Sequence, residues 1–430
     1  MNYSQQFLNF IDKAVSPFHA VLGLKEELLA KGYEELDEAF KWEIKLGGKY
    51  FITKNDTSIL AFTIPSDLTD LSMNIVASHT DSPTLKLKPN FEAKVGGKLK
   101  GLNVEVYGGT IYSTWFDRPL GIAGRLVTLE DGQINTHFVD TRAICVIPNV
   151  AIHMNRTIND GHKYNLVTDL RPIYADNFDE EGLVSHLMQG CNGELLGADL
   201  YLYNANRGQL LGKNNELIVA PQIDNLESAF LTLQGFLASE NAKSMNIYAA
   251  FDNEEVGSGT AQGAYSNFLV DTIGRVTEAL KLSFEEKQMM IAKSFLVSCD
   301  NAHGVHPNSP QISDGDNAAF LNGGIVIKTN ANQLYTTDAI SMAVFKTILK
   351  EAEVPYQVFA NRSDIRGGST LGHLAVQNLP VCAVDIGLPQ LAMHSAMETA
   401  GSKDCESLVK GIQAFYTHHL TKADGEFIIE

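Results

Sequence analysis

Acidic and histidine residues follow several short apolar runs of this sequence. Apolar runs of this length are typical of buried strands, and open α/β sheets place their sites just beyond the ends of strands. The residues found at such positions, or at the start of a predicted helix, are His79, Asp81, Asp224, Glu254, Glu255, Asp300 and His394. We therefore expect their side chains to converge on one site.

Two histidines and several carboxylates, with no cysteine among them, are the donors expected of a two-metal hydrolase. Such a site holds two ions about 3.5–4 Å apart and needs a carboxylate that bridges them. The adjacent Glu254 and Glu255 suit a division of labour, because neighbouring side chains diverge and one can bind metal while the other acts as general base toward water. Asp81, two residues after His79, is placed to hold the imidazole in one tautomer.

Each of these patterns, taken alone, also has an ordinary structural interpretation. A His-x-Asp pair or two adjacent glutamates usually form part of a solvated surface, and Asp224 before an apolar helix is usually an N-cap. Their coincidence behind several apolar runs favours a metal site. The glycine-rich loop at 257–263 is not a nucleotide site, since its spacing differs from GxGxxG and the acidic pair before it would repel a pyrophosphate.

The elements that must position these residues alternate between strand and helix. Short apolar runs predict buried strands at 73–77, 245–251, 294–299 and 380–386. Apolar stripes at helical spacing predict helices at 226–237, 340–348 and 408–415, and a helical N-terminal segment over 4–31 that breaks near Pro17. This alternation predicts an α/β fold with a mostly parallel central sheet and flanking helices.

The stretch from 91 to 217 differs from the rest, being rich in glycine and in short β-type runs. We predict that it forms a mostly β domain inserted into the α/β domain, which is then made of 1–90 and 218–430. A chain of 430 residues is long enough for two such domains with separate cores.

Composition excludes several classes of partner. The net charge of −18 argues against nucleic acid and against an anionic membrane surface. Five cysteines without a CxxC motif indicate reduced thiols rather than a disulfide framework. The N-terminus does not resemble a signal peptide, and no apolar run approaches the ~18 residues of a membrane span. We therefore expect a cytoplasmic protein.

The local sequences around the candidate residues resemble those of the aspartyl aminopeptidase family of di-zinc metallopeptidases. The motifs agree in order and spacing: ASHTDSP at 77–83, PQIDNL at 221–226, FDNEEVGS at 251–258, DNAHGVHPN at 300–308 and AMHS at 392–395. The resemblance implies a metallo-aminopeptidase that releases single N-terminal residues, Asp or Glu, from short peptides. It also implies metal-activated water, with Glu254 as the general base.

The same resemblance assigns the metal ligands. His79 and Asp300 would bind one divalent ion, Glu255 and His394 the other, and Asp224 would bridge both. Zinc is the expected metal, although cobalt and manganese suit the same donors. In the wider di-zinc exopeptidase group the peptide bond after the bridging aspartate is often cis, and we expect this between Asp224 and Asn225.

Assembly is a further implication of the resemblance. The inserted β region would be a dimerisation domain, and the homo-oligomer a tetrahedral dodecamer built from dimers. The segment PNVAIHMNR at 148–156 resembles the family segment whose histidine, here His153, reaches the active site of a neighbouring subunit. His303 lies in the histidine-rich loop after Asp300 and is expected to contact the substrate.

An acidic substrate needs a nearby cation, because the net charge of −18 repels it at long range. Lys328, at the end of an apolar run, is the first candidate. Arg366 is the second; it lies in the loop 362–370, which departs from the family pattern because Gly367 and its neighbours replace a segment that often contains cysteine. A neutral or basic preference, a related di-zinc deacylase or carboxypeptidase, and a catalytically silent scaffold remain as alternatives, although the intact Glu254 argues against the last.

Overall fold

The computed structural model of the protein describes residues 2–179, 181–241 and 243–430. The helices are α1 (Tyr3–Ile11), α2 (Pro17–Ala30), α3 (Gly182–Leu187), α4 (Ile223–Leu237), α5 (Phe268–Ala279), α6 (Phe284–Lys293), α7 (Ala339–Glu351), α8 (Gly372–Asn378) and α9 (Asp404–Thr417). The strands up to residue 204 are β1 (Glu34–Glu35), β2 (Lys49–Lys54), β3 (Ser58–Thr63), β4 (Ser72–His79), β5 (Thr84–Val95), β6 (Leu99–Tyr107), β7 (Leu120–Glu130), β8 (Gln133–Cys145), β9 (Ile173–Asp176) and β10 (Glu194–Asn204). The later strands are β11 (Gln209–Leu211), β12 (Leu217–Ala220), β13 (Ser244–Phe251), β14 (Phe295–Cys299), β15 (Ala302–His303), β16 (Ile325–Thr329), β17 (Tyr356–Ala360), β18 (Cys382–Gly387), β19 (Pro389–Leu391), β20 (Glu398–Gly401), β21 (Leu420–Ala423) and β22 (Glu426–Ile429).

The central sheet has the strand order β1-β2-β3-β13-β4-β14-β18-β16-β17. Its four middle strands, β13, β4, β14 and β18, are parallel to one another and correspond to the four predicted apolar runs. Outside this group the sheet is mixed, because β3 pairs antiparallel with both β2 and β13, and β16 pairs antiparallel with β18. A tight turn with positive φ at Asn55 and Asp56 reverses the chain between β2 and β3 and so creates one of these pairs.

Helices cover both faces of the central sheet, as the alternation predicts. Along β4, Val76 packs into a core with α1, α2, α4, α7 and α9, whereas Ile75 and Ala77 pack with α5, α6 and α8. Because every residue of β4 and β13 is buried, these strands show continuous apolar runs rather than alternation. The predicted helices at 226–237, 340–348 and 408–415 correspond to α4, α7 and α9, and the predicted break near Pro17 separates α1 from α2.

A second sheet, of six antiparallel strands in the order β8-β7-β10-β5-β6-β9, accounts for most of the region predicted to be inserted. Its strands begin at Thr84 and end at Asn204, so the sheet starts before the predicted boundary at 91. The following strands, β11 and β12, belong to another sheet. We call the unit formed by residues 84–204 the inserted unit; its status as a separate domain stays a prediction.

A third sheet, which the sequence patterns do not predict, has the order β11-β12-β20-β19-β15. Its strands are two to four residues long, too short for a recognisable alternation. It brings the start of α4, which follows β12, close to the turn between β19 and β20. None of the helices in the described part of the chain is long and apolar enough to cross a membrane.

Candidate metal centre

Three of the predicted site segments leave neighbouring parallel strands at the same edge of the central sheet. His79 is the last residue of β4, and Asp300 directly follows β14. After β13, the chain turns at Asn253, which has a positive φ of 62°, into a short 3₁₀ turn that begins with Glu254 and Glu255. The carboxyl ends of parallel strands therefore bring these side chains together, as expected for an open α/β sheet.

The other two predicted ligands, Asp224 and His394, are positioned by the third sheet. Asp224 lies at the start of α4 in a non-helical conformation (φ −79°, ψ 108°), and its peptide bond to Asn225 is cis, which confirms that prediction. His394 lies in the turn between β19 and β20 with a positive φ of 67°. The third sheet thus completes a site that the central sheet supplies only in part.

The five predicted ligands lie within one cluster. The Nε2 atom of His79 is 3.5 Å from Asp224 Oδ1 and 3.4 Å from Asp300 Oδ1. The Nε2 atom of His394 is 3.6 Å from Asp224 Oδ2 and 3.4 Å from Glu255 Oε2. Each oxygen of Asp224 therefore faces a different histidine, which is the geometry of a bridging carboxylate.

The chemistry of this cluster fits divalent metal ions. Three groups each place their donor atoms within 4.8 Å of one another: His79 with Asp224 and Asp300, Asp224 with Glu255 and His394, and His79 with Glu254 and Glu255. Asp224 Oδ1 is buried and accepts no hydrogen bond from any residue that the structure describes. Within the same residues, no lysine or arginine forms an ion pair with these carboxylates. A buried carboxylate without a partner is unfavourable, and a cation removes this penalty.

The pKa values of Glu254 and Glu255, the acidic pair after β13, are raised above their ordinary range. Burial raises the pKa of the Glu254 carboxyl to about 8, against the opposing effect of the His79 imidazole. Burial, and then the charge of Asp224, raise the pKa of Glu255 well above its ordinary value. Such shifts arise where carboxylates crowd together in a place that lacks water, and perturbed groups of this kind cluster at functional sites.

Asp81 contacts both His79 and the turn that carries Glu254 and Glu255. Its Oδ1 atom lies 3.3 Å from His79 Nδ1 and accepts the backbone N–H of Glu254 at 3.1 Å. Its Oδ2 atom accepts the backbone N–H of Glu255 at 3.2 Å. The ring nitrogen His79 Nδ1 also lies 3.1 Å from the main-chain oxygen of Asp81, which is its hydrogen-bond partner. The carboxylate of Asp81 fixes the turn that carries the two glutamates, and its predicted effect on the imidazole stays a prediction.

Two contacts of the site were missed by sequence reasoning. Glu398 on β20 is 1 % exposed and accepts the backbone N–H groups of both Asp224 and His394. Tyr107, at the end of β6, donates its hydroxyl proton to Asp81 Oδ2 at 2.7 Å. In the sequence, only the position of Glu398 four residues after His394 connects it with the site. Tyr107 lies in a run of residues that predicts a strand and nothing more.

Lys328 on β16 is buried next to Asp300 and does not lie in an open pocket. It is 2 % exposed, and its Nζ donates to the main-chain oxygens of Asp300 at 2.9 Å and Asn301 at 3.3 Å. The ring of Tyr335 lies 5.0 Å from the same nitrogen. Burial disfavours the charge, yet Asp300 and Tyr335 hold the pKa of Lys328 above its ordinary value. The contact with substrate predicted for Lys328 stays a prediction.

A cavity of about 290 Å³ lies next to the site, beside the residue that precedes His394. His303 lines it, as does Arg362, which forms an ion pair with Asp364. The apolar part of its wall is formed by Ile312, Phe359, Ile365, Leu391 and Met393. Arg366 is exposed on the adjoining loop and is not part of this wall, so its predicted contact with substrate also stays a prediction.

His153 lies far from these residues along the chain, in the inserted unit between β8 and β9, where it is exposed. Among the described residues, neither a hydrogen bond nor an ion pair joins it to the metal ligands of its own chain. Its predicted function at the active site of a neighbouring subunit stays a prediction.

Comparison with known proteins agrees with this geometry. Residues 10–416 match the family model described as "Aminopeptidase I zinc metalloprotease (M18)". Proteins named "Probable M18 family aminopeptidase 2" from Clostridium acetobutylicum and Clostridium novyi are 39 % and 41 % identical to this chain. Each match covers 97 % of this chain and 99 % of the relative.

Two solved structures share the fold. One, "Cryo-EM structure of the Ape4 and Nbr1 complex", has a TM-score of 0.91 and 34 % identity, and the match covers 97 % of this chain and 85 % of that chain. The other, "Structure of S. cerevesiae mApe1 dodecamer", has a TM-score of 0.84 and 25 % identity, with 96 % of each chain covered. The family resemblance stated from the motifs is thereby confirmed: the chain belongs to the M18 family of zinc metalloproteases and is a metal-dependent aminopeptidase.

Proposed function

We propose that this aminopeptidase removes single N-terminal residues, with a preference for aspartate and glutamate, from short peptides. The observation that carries the metallopeptidase chemistry is that one oxygen of Asp224 lies 3.5 Å from His79 Nε2 and the other lies 3.6 Å from His394 Nε2. This arrangement supports two divalent ions, one bound by His79, Asp224 and Asp300, the other by Asp224, Glu255 and His394. When bound, zinc supplies Lewis acidity, which polarises a peptide carbonyl and makes water more acidic.

Glu254 is the proposed general base. Glu254 forms a third possible donor group with His79 and Glu255, but the proposal assigns those two residues to different ions and Glu254 to neither, so its carboxylate is assigned to proton transfer. It takes a proton from the water that attacks the peptide carbonyl carbon, and delivers it to the amine nitrogen as the C–N bond breaks. Asp81 holds the turn of Glu254 and the ring of His79 in place while this occurs.

Acidic preference is supported by the buried charge of Lys328. No described carboxylate lies within ion-pair distance of its Nζ, so the ammonium group has no direct ion-pair partner among the described residues. Partial desolvation, and then the charge of Lys328, lower the pKa of His303, which lines the adjacent cavity. The charge of Lys328 therefore acts on a residue that lines this cavity.

A second candidate preference follows from the apolar wall of the same cavity. Ile312, Phe359 and Met393 offer no hydrogen-bonding partner to a carboxylate, and Arg362 is already paired with Asp364. These contacts favour an uncharged side chain such as leucine. Comparing kcat/KM for aspartyl, glutamyl, leucyl, alanyl and lysyl reporter substrates separates the two. Faster hydrolysis of leucyl substrates than of aspartyl ones would reject the acidic preference.

The metal-ligand proposal is tested by two variants. Glu254→Gln should abolish turnover yet keep the zinc content close to wild type, because only proton transfer is lost. Asp224→Ala should lower the zinc content at both positions, because it removes the bridging ligand. Metal analysis of the purified proteins, together with peptide hydrolysis, gives both readouts. Equal zinc loss in the two variants would show that Glu254 is a ligand.

We further propose a homo-oligomer in the cytoplasm, a tetrahedral dodecamer built from dimers through the inserted unit. The similar S. cerevesiae mApe1 structure is described as a dodecamer. Large apolar side chains are exposed on the inserted unit, among them Met154 at 84 % and Phe178 at 89 %, which supports a contact surface there. The five cysteines are free thiols, which suits a reducing compartment. Light scattering on purified protein measures the mass; a monomer would reject the assembly.

A further inference from the structure

The end of β6 and the turn after it, residues 107–111, contact the metal centre from the inserted unit. The hydroxyl of Tyr107 donates to Asp81 Oδ2 at 2.7 Å and accepts a hydrogen bond from Asn253 Nδ2 at 2.9 Å. Asp81 and Asn253 lie on the two sides of the turn that carries Glu254 and Glu255. The Tyr107 hydroxyl therefore connects Asp81 and Asn253, the two residues that hold the turn of Glu254 and Glu255.

The same segment holds His394 at both its ring and its main chain. The carbonyl oxygen of Gly109 lies 3.1 Å from His394 Nδ1, so it accepts the ring N–H and leaves Nε2 free for metal. The carbonyl of His394 accepts the backbone N–H of Ile111 at 2.9 Å and the hydroxyl of Thr110 at 3.2 Å. These contacts hold a ligand whose own backbone has a positive φ.

The two glycines of this segment allow the close approach. A Cβ atom on Gly108 would lie 3.1 Å from Glu255 Cβ, and Gly108 has a positive φ of 69°. A Cβ atom on Gly109 would lie 3.3 Å from His394 Nδ1. Both separations are tighter than ordinary side-chain contacts, so the segment is packed directly against two proposed ligands.

We propose that segment 107–111 is a positioning element of the metal centre, so that metal affinity and turnover depend on the inserted unit within the same chain. The inference rests on the ligand set proposed above and adds to it. The inserted unit then does more than assemble subunits, because it fixes the orientation of His394 through Gly109 and of the acidic pair through Tyr107.

The first test is Tyr107→Phe, which removes the hydroxyl and keeps the ring. Groups that orient metal ligands typically contribute about 10–100-fold to metal affinity or activity, and we expect a loss of that size in zinc affinity or in kcat. KM should not change, because the hydroxyl contacts Asp81 and Asn253 and not the substrate cavity. Zinc affinity is measured on the full chain by competition with a fluorescent chelator, and kcat and KM with a peptide reporter.

Tyr201→Phe is the matched control. Its ring packs edge-to-face on that of Tyr107 at 5.7 Å, it belongs to the same sheet, and its hydroxyl makes no hydrogen bond within the described residues. A second variant, Gly109→Ala, places a methyl group against the His394 ring and should weaken the binding of one zinc ion more than the other. Gly197→Ala, where a Cβ would meet nothing within 4 Å, is its control in the same sheet.

Loss of zinc affinity or kcat in Tyr107→Phe, with unchanged KM, mass and melting temperature, supports the inference. Wild-type zinc affinity and kcat in Tyr107→Phe, or an equal loss in Tyr201→Phe, overturns it. If Gly109→Ala does not fold, Tyr107→Phe decides alone. Failure of the proposed ligand set is distinguishable, because Asp224→Ala would then keep its zinc whatever Tyr107→Phe shows.

Discussion

The buried carboxylate of Glu398 accepts the backbone N–H of His394 at 2.7 Å. Its other oxygen accepts the backbone N–H of Asp224 at 3.0 Å, so that one side chain fixes two proposed ligands. In Glu398→Gln one of these oxygens becomes an NH₂ group that faces an N–H donor. We expect zinc affinity to fall by about 10–100-fold, as for other groups that orient ligands. Zinc competition titration measures this, with the exposed Glu406→Gln as control; unchanged affinity would contradict the prediction.

Replacing Lys328 with Met removes the positive charge and keeps a side chain of similar length. The variant therefore separates the effect of the charge on substrate preference from the effect of side-chain packing. We expect kcat/KM to fall far more for aspartyl and glutamyl substrates than for leucyl and alanyl ones. The variant also leaves two buried carbonyl oxygens without their donor, which costs about 1–3 kcal/mol of stability, so melting temperature must be recorded alongside. An equal fall for every substrate would show that Lys328 does not determine side-chain preference.

His153 is predicted to act on a neighbouring subunit, where its imidazole would stabilise the developing oxyanion. His153→Ala and Glu254→Gln should each be nearly inactive as pure assemblies. When the two variants are refolded together, a site can combine Glu254 from one chain with His153 from another. Random pairing of equal amounts should restore about a quarter of wild-type activity. If the mixture stays inactive although mass analysis shows mixed assemblies, the intersubunit function is wrong.

Removal of metal should destabilise the fold, because the ions bind only where the ligands have been brought together. A ligand present at 100 times its Kd stabilises the folded state by about 2.7 kcal/mol. Thermal unfolding in a chelator should therefore begin at a lower temperature and recover when zinc is restored. Asp224→Ala serves as the control, since its melting temperature should respond little to either treatment. A chelator-independent melting temperature in the wild type would contradict the prediction.

Asp70, which lies away from the metal centre, makes a pH-dependent contribution to the free energy of unfolding. Burial acts to raise its pKa, but hydrogen bonds from Lys293 and Thr421 outweigh this and lower the pKa to about 2. Since the pKa in the folded state lies below the ordinary 3.8, the stabilisation is present above that value and is lost as pH falls toward 2. The carboxylate is 42 % exposed, so the contribution is below about 1 kcal/mol.

The test compares wild type with Asp70→Asn in the free energy of unfolding, both in chelator so that the metal centre does not contribute. The difference between the two proteins should be largest near neutral pH and shrink as the pH falls below about 4. A difference that is independent of pH would mean that the carboxylate is not stabilised in its charged form.

Some of the site was predictable because its signals are local. The apolar runs that became β4 and β14 are continuous in sequence, so the positions of His79 and Asp300 after them could be inferred. The motifs supplied the remaining ligand assignments. Glu398 and Tyr107 were not found, because their contacts form only when strands distant in sequence pair, and neither residue belongs to a pattern that signals its partner.

Two other features of the structure were not predicted from the sequence, for physical reasons. The third sheet was missed because strands as short as β15 and β19 carry too little periodicity to detect. The position of Lys328 was predicted on its strand but its burial was not, since the main-chain oxygens that bind its Nζ lie on another element. The antiparallel sheet begins at Thr84, seven residues before the predicted boundary at 91, because β5 follows closely after the segment that contains Asp81.

The proposed ligands are spread from His79 to His394 in a chain of 430 residues. A ribosome makes the chain from its N-terminus, so a nascent polypeptide that ends before residue 394 already contains His79, Asp224 and Asp300 but lacks one histidine. Such a chain has the donors for one ion and an incomplete set for the other. Under the proposed ligand set, the full complement of zinc can be acquired only once translation is nearly finished.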